Sequence, residues 1–325
     1  MKRYLCVDIG GTKTMVGLVD DEGRILAKER FPSQDDGRKI LKDIVAYGEH
    51  LLVQAGEPVA ACGVGFGGPY DYANQRLWRS MHVASWETID LRRELSNAFS
   101  LPCVVDNDAN TAALGEFRFG AGRGVSSLFY ATVSTGIGGG LVIDGQVYRG
   151  RNSLAGEIGH TQVVPGGRLC TCGRHGCLEA YASGWAITAR ARELLALDGS
   201  PSLMRPMRQT TAGGGSGAEQ GPTAKEVFAA AAAGDQLAVQ VVHEACAALA
   251  EGLAHIINLF DPELIVIGGG LAQAGEQLFG PVREMLPDLL FSPVKRSVAC
   301  VPAALGDDAV LLGAAALAAA GWHGW

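Results

Sequence analysis

Apolar positions in this chain fall into short alternating or continuous runs and into longer stretches of helical spacing, and the two kinds succeed one another along the sequence. Residues 3–9, 14–20 and 24–31 predict three strands, with DDEG at 20–23 closing the last two as a hairpin. Residues 35–56 place Ile40, Ile44, Leu51 and Leu52 on one helical face. VAACGVGFGG (59–68) reads as a buried strand running into a glycine turn, LPCVVDND (101–108) as a further strand, and ANTAALGEFRFG as the helix after it. With a helix between those two strands, the first part is one α/β unit.

The same kind of unit then restarts. SSLFYATVSTGIGGGLVIDGQVYRG (126–150) repeats the strand, glycine turn, strand, turn, strand order of the first forty residues, with DIGGTKT and STGIGGG at matching corners. Helices are expected at about 179–196, 223–233 and 236–260, then a strand at 263–270, a helix at about 271–290, a strand at 296–303 and a last helix at about 307–320. Residues 198–222, rich in Gly, Ser, Pro and Thr, break the pattern and predict a surface loop, read as a tolerated insertion.

Composition narrows the class. The 325 residues are enough for two domains, and 48% hydrophobic content supplies sizeable cores. A net charge of -7 with no basic run argues against nucleic acid as the main partner. The N-terminus has no long apolar segment and no stretch approaches ~20 uninterrupted apolar residues, so a cytoplasmic protein with no membrane partner is expected. Of eight cysteines, Cys6, Cys62, Cys103, Cys246 and Cys300 stand alone in apolar runs, and only Cys170, Cys172 and Cys177 cluster.

Three glycine corners are candidates for phosphate. DIGGTKT holds Gly10 and Gly11, whose backbone N–H groups can approach an anion, beside Thr12, Lys13 and a strand-end Asp8 suited to Mg²⁺ or its water. A plain tight hairpin explains the same residues. STGIGGG (134–140) and IGGG (267–270) are the second and third corners. None is a Walker or dinucleotide fingerprint, and it is their matched placement in repeated units that is specific. In VVDND, Asn107 and Asp108 stand at a strand-to-helix junction, where capping alone accounts for many such pairs.

This constellation resembles the sugar-kinase and actin ATPase superfamily, and within it the ROK family of sugar kinases and sugar-responsive repressors. The likeness covers nearly the whole chain and is sharpest over VSTGIGGGLVIDGQVYRGRNSLAGEIGH (133–160), extended by CTCGRHGCLEAYASG (170–184). It implies an α/β protein with the two-domain actin-like ATPase (ribonuclease H-like) fold and an interdomain cleft. Residues 1–118 plus 306–325 would form a small domain and 119–305 a larger one, with the last helix packed back on the first.

The resemblance also implies an ATP- and Mg²⁺-dependent hexose kinase acting on the sugar 6-hydroxyl, with Asp108 as base. Gly68, Asn107, Asp108, Glu157, His160 and Glu179 would meet the sugar. Asp8, Gly10, Gly11, Thr12, Lys13, Thr135, Gly136, Gly138, Gly139, Gly268 and Gly269 would meet the nucleotide. Glucose is the first expected substrate; N-acetylglucosamine, N-acetylmannosamine, mannose, fructose and allose are alternatives. Where many family kinases carry an Asn before a Trp, this chain has His82 ahead of Trp86. A repressor would need a DNA-binding domain before Asp8, for which there is no room, and a silent sugar sensor would not need Asp8, Lys13, Asn107 and Asp108 intact. A homodimer is expected from the family.

His160, Cys170, Cys172 and Cys177 form one imidazole and three thiolates, a closed tetrahedral set for structural zinc that matches the family's spacing, with His175 the lesser candidate. No position is left open for water or substrate, so the metal is expected to brace the loop.

Overall fold

The computed structural model describes residues 1–78, 83–199, 201–205, 221–291 and 298–321. His82 and most of the 198–222 segment lie outside the described residues. The first unit runs β1 (Arg3–Ile9), β2 (Lys13–Asp20), β3 (Ile25–Pro32), α1 (Gly37–Gln54), β4 (Val59–Phe66), the small hairpin β5 (Tyr70–Asp71) and β6 (Arg76–Leu77), α2 (Leu91–Phe99), β7 (Cys103–Asn107) and α3 (Asp108–Phe119). The second runs β8 (Ser127–Val133), β9 (Ile137–Ile143), β10 (Gln146–Tyr148), α4 (Glu179–Ala182), α5 (Gly184–Leu197), α6 (Ala224–Ala232), α7 (Gln236–Phe260), β11 (Leu264–Gly268), α8 (Glu276–Leu289) and β12 (Ala299–Pro302), and the chain ends its described part with α9 (Ala309–Ala320).

The repeat legible in the sequence is a repeat of topology. The first sheet has the order β3-β2-β1-β4-β7 and the second β10-β9-β8-β11-β12. In each, three strands run antiparallel as a meander and two more join parallel to the first. Parallel strands require crossover helices, and here α1, α2, α7 and α8 lie in those crossovers. The largest core lies on the second sheet beneath α5 to α8, and a second core on the first sheet beneath α1 and α2. Helix α7 is long and apolar enough to cross a membrane, but it is packed against α4, α5, α6 and α8 within the larger core.

Three boundaries differ from expectation for local reasons. The helix expected at 179–196 is two helices, because Ser183 takes an extended backbone and its hydroxyl caps α5 at Ala186 N. The strand expected at 263–270 stops at Gly268, because Gly269 has φ 85°, and a 3₁₀ turn over Gly270–Ala274 precedes α8. The hairpin β5–β6 was not expected at all.

The chain passes from the first unit to the second after α3, and back between β12 and α9. A single buried side chain holds both crossings. The Glu116 carboxylate accepts hydrogen bonds from Ala121 N (2.9 Å), Ala304 N (3.1 Å) and Leu305 N (2.8 Å) and is fully buried. Helix α9 packs on α3 and β4 almost backbone to backbone. A Cβ on Gly313 would overlap the Thr111 carbonyl, and one on Gly63 the Ala314 carbonyl. Gly→Ala in an open helix interior stabilises by about 0.5–1 kcal/mol. Gly313→Ala is expected to destabilise instead, by about 1–3 kcal/mol as an overpacked core does, read as a lower midpoint in urea unfolding.

Candidate active site

The first corner and the start of α3 converge. Gly10 N–H donates to the Lys13 carbonyl (3.0 Å), and Ser33 closes the turn from behind, its hydroxyl donating to the Gly10 carbonyl (2.7 Å). Gly67 N–H donates to the Ile9 carbonyl (2.8 Å). A Cβ on Gly67 would stand 3.5 Å from Asp108 Oδ2 and 3.6 Å from Gly10 Cα. The end of β4, the corner and Asp108 therefore border the same small volume.

Asn107 is the cap of α3. Its Oδ1 accepts from Ala109 N (2.9 Å) and Asn110 N (3.1 Å), and its Nδ2 donates to the Gly68 carbonyl and to Asp108 Oδ1, both at 3.0 Å. The amide is thus spent on fixing its neighbours. Asp108 Oδ1 also accepts from Ala109 N (2.9 Å), while Oδ2 has no protein donor among the described residues. Asp106, just before them, is buried and paired with Arg149.

Acidic groups crowd this place. Burial pushes the Asp8 carboxyl up to about 7, with Asp108 adding to the rise and Lys13 opposing it. Burial likewise pushes Asp108 up to about 6, against the Ala109 N–H bond and with help from Glu157. Loss of solvent raises Glu157, with His160 opposing and Glu179 adding. Asp8 receives no hydrogen bond among the described residues, so this buried carboxylate suits Mg²⁺ or its waters. Lys13 Nζ lies 2.9 Å from Asp307 Oδ2, a partner that the sequence alone did not suggest.

The second corner is tied to the start of α5: Gly184 N–H donates to the Ser134 carbonyl (2.7 Å). Ser134, Thr135 and Gly270 line a cavity of about 1090 Å³ together with Trp185, Arg192 and Lys225. That volume lies just above the ~300–1,000 Å³ usual for ligand and cofactor pockets. Trp185 also packs against Cys170, Cys177 and Ala180, so it stands between the cavity and the cysteine loop. Periodicity gave no signal for Trp185, Arg192 or Lys225, which lie on otherwise ordinary helices.

Gly138, Gly139, Gly268 and Gly269 do not line this cavity. A Cβ on Gly139 would stand 2.7 Å from the Gly156 carbonyl, and one on Gly138 3.5 Å from Ala109 Cβ; one on Gly268 would meet the Tyr130 ring and one on Gly269 the Val133 carbonyl. Close packing accounts for Gly139, Gly268 and Gly269; at Gly138 a Cβ would meet only side chains, the nearest Thr132 Cγ2 at 3.3 Å. Glu179 is occupied on both oxygens: Oε2 accepts from Ile137 N and Oε1 from the Thr171 hydroxyl, each at 3.0 Å. It joins the second corner to the cysteine loop.

His160, Cys170, Cys172 and Cys177 come together, with their ligand atoms all within 4.8 Å of one another. Cys170 Sγ is 3.7 Å from His160 Nδ1, and Cys172 Sγ 3.7 Å from Cys177 Sγ. A tetrahedron with zinc–sulfur bonds of about 2.3 Å has sulfur–sulfur edges of about 3.8 Å, so the set fits zinc. Nδ1 faces the cluster, leaving Nε2 on the other edge of the ring. His175 is turned away, its Nδ1 2.9 Å from the Gly167 carbonyl.

Duplicated sheets, a cleft-side carboxylate on a helix start and glycine corners beside a large cavity are the marks of the two-domain actin-like ATPase fold. The chain belongs to the ROK family, whose model matches residues 4–320. It is 37% identical to a glucokinase of Thermotoga maritima over 317 residues, 97% of this chain and 96% of that one. It is 35% identical to an N-acetylmannosamine kinase of Citrobacter koseri, covering 97% and 98%. Among solved structures, a ROK family glucokinase from Streptomyces griseus in complex with glucose and AMPPNP superposes with a TM-score of 0.78 at 36% identity, covering 98% of this chain and all of that one.

The raised carboxyls make a signed prediction. A carboxyl with a folded pKa above its unfolded value is protonated more readily when folded, so its crowding costs stability that grows as pH rises from about 4 through 6. Asp108→Asn is therefore expected to melt above the unaltered protein at pH 8, the gap closing near pH 4. Thermal unfolding across that range checks it.

Proposed function

We propose that this protein is an ATP-dependent hexose kinase that phosphorylates the sugar 6-hydroxyl, with glucose as its first substrate. The observation that carries the reading is the Oδ2 of Asp108, which accepts from no other residue among those described and is held at the start of α3 beside the first glycine corner and within the field of Glu157.

In this reading the sugar 6-oxygen attacks the γ-phosphorus, the bond to the β–γ bridging oxygen breaks, and the hydroxyl proton passes to Asp108 Oδ2, leaving sugar phosphate and ADP. The transition state of phosphoryl transfer is loose, so the base acts mainly by orienting the hydroxyl. A pKa pushed up to about 6 keeps Asp108 ionised at neutral pH and makes it a better acceptor than an ordinary Asp. Asn107 fixes Asp108 and the Gly68 carbonyl at the pocket wall. Glu157 and His160 Nε2 take ring hydroxyls, and Glu179 contributes through its remaining lone pairs.

The nucleotide lies in the cavity at Thr135, with its phosphates toward Gly10, Gly11, Thr12 and Lys13; Gly136 closes the second corner beside Thr135, while Gly138, Gly139, Gly268 and Gly269 lie outside the cavity lining. Asp8 would hold Mg²⁺, which offsets phosphate charge when bound. His160, Cys170, Cys172 and Cys177 would hold zinc as a brace. The domains divide as 1–118 with the C-terminal helix, and 119–305, in a cytoplasmic homodimer.

Coupled ADP release across a hexose and N-acetylhexosamine panel is expected to be fastest with glucose. Preference for N-acetylmannosamine would move the substrate toward that relative, and no turnover with any sugar would favour a silent sensor. Asp108→Asn is expected to lower kcat by about 10²–10⁴ while glucose binding, read by calorimetry, stays near normal. Near-normal kcat would remove Asp108 from its role. Stripping zinc with a chelator, or Cys172→Ser, is expected to release one equivalent of metal per chain and to weaken glucose binding together with turnover; metal-free protein that binds and phosphorylates glucose normally would sink the brace.

A further inference from the structure

The loop between β10 and the cysteine cluster begins at Arg149 and carries Glu157 and His160. Arg149 reaches back to the strand that ends in the catalytic motif. Its Nε (2.8 Å) and one terminal nitrogen (2.7 Å) both donate to Asp106 Oδ2. Asp106 is 1% exposed, and its other oxygen accepts from Asn107 N (2.8 Å) and Asn110 Nδ2 (3.3 Å). The guanidinium carbon lies 3.6 Å from the centroid of the Tyr72 ring, and the remaining terminal nitrogen donates to the Val147 carbonyl (3.2 Å). A second tie lies four residues on. The Ser153 hydroxyl accepts from Tyr72 N (3.0 Å), and Ser153 itself is buried in the left-handed region at φ 57°. Just past the second tie, Ala155 N–H donates to the Arg149 carbonyl (3.1 Å), closing the loop back on its first residue.

We propose that Arg149 is a positioning residue that sets the distance between the base Asp108 and the sugar-binding pair Glu157 and His160. One end of the loop is fixed through Asp106, two residues from Asp108, and its middle through Ser153 to the backbone of Tyr72. Among the described residues, no other side chain joins the two binding elements of the sugar site with both charge and stacking. Lysine cannot replace Arg149 here, because its single nitrogen lacks the planar fork that puts two nitrogens on Asp106 and a third on the Val147 carbonyl, and it stacks poorly on Tyr72. The inference rests on the hexose-kinase reading above.

The test uses Arg149→Lys and the double variant Asp106→Asn with Arg149→Met in the full chain. Arg149→Lys is expected to raise the glucose KM about tenfold and lower kcat, with the ATP KM within twofold of normal. Arg149→Met alone leaves a buried unpaired carboxylate and is expected to lower the melting temperature sharply. The double variant removes that charge, so it is expected to regain most of the melting temperature while keeping the glucose defect. Amide hydrogen exchange, which needs no activity, is expected to quicken over 150–160 in Arg149→Lys. A folded variant with unchanged exchange over 150–160, or with normal glucose KM and kcat, overturns the latch. A wild-type protein that phosphorylates no hexose overturns the kinase reading instead, and the exchange result still decides the latch.

Discussion

Side chains are missing where α3 meets its neighbours, and that absence governs the rest of the molecule. A Cβ on Gly140 would stand 2.7 Å from the Ala109 carbonyl, and one on Gly115 would run into the Ala309 carbonyl. The helix therefore rests on β9 of the second sheet at its start and on α9 at its end. Both sheets refer their position to the same rod. Its first residue carries the carboxylate of the site, and Glu116, near its last turn, binds the chain crossings. Burial of backbone against backbone leaves little slack, since interiors are packed as densely as organic crystals.

The electrostatics of the cleft oppose this economy of packing. Burial already makes this place unfavourable for charge; Asp108 then raises Asp8 further, Glu157 raises Asp108 and Glu179 raises Glu157. The opposing charge is modest, because Lys13 is shared with Asp307. Such a site is unstable by itself and favours whatever brings protons or positive charge to it. That is the expected condition of a site that binds a metal–nucleotide complex and moves a proton, and the cost is carried by the cores on either side.

Much of this was legible in the sequence. Strand and helix runs with a repeated glycine corner were enough for two like sheets, because the strand–corner–strand order leaves few ways to pair strands. The cysteine cluster was legible because ligand chemistry is local in a loop of eighteen residues from His160 to Cys177. Other features were hidden for physical reasons. Gly139 looks like a phosphate glycine, but a glycine that admits an anion and one that admits a neighbouring backbone are the same letter. Arg149 and Asp106 stand 43 positions apart, and Lys13 and Asp307 much further, so no spacing rule could pair them. Trp185 and Lys225 needed the meeting of two helices before they bordered anything. Capping was legible at the junction of Asn107 and Asp108; geometry gives it to Asn107, while Asp106 just before it is held by Arg149.

The Glu116 clamp has a kinematic consequence. Two separate crossings between rigid bodies would ordinarily give two pivots, able to shear as well as swing. Here the backbone N–H groups of both crossings converge on one carboxylate, so the pivots coincide. What remains is rotation about a common point at the end of α3, with sliding suppressed. In such a joint, swing at the cleft mouth is large and displacement beside the pin is small. The loop that carries Glu157 and His160 and the cavity at Thr135 would then approach the first glycine corner in a single stroke rather than in independent steps.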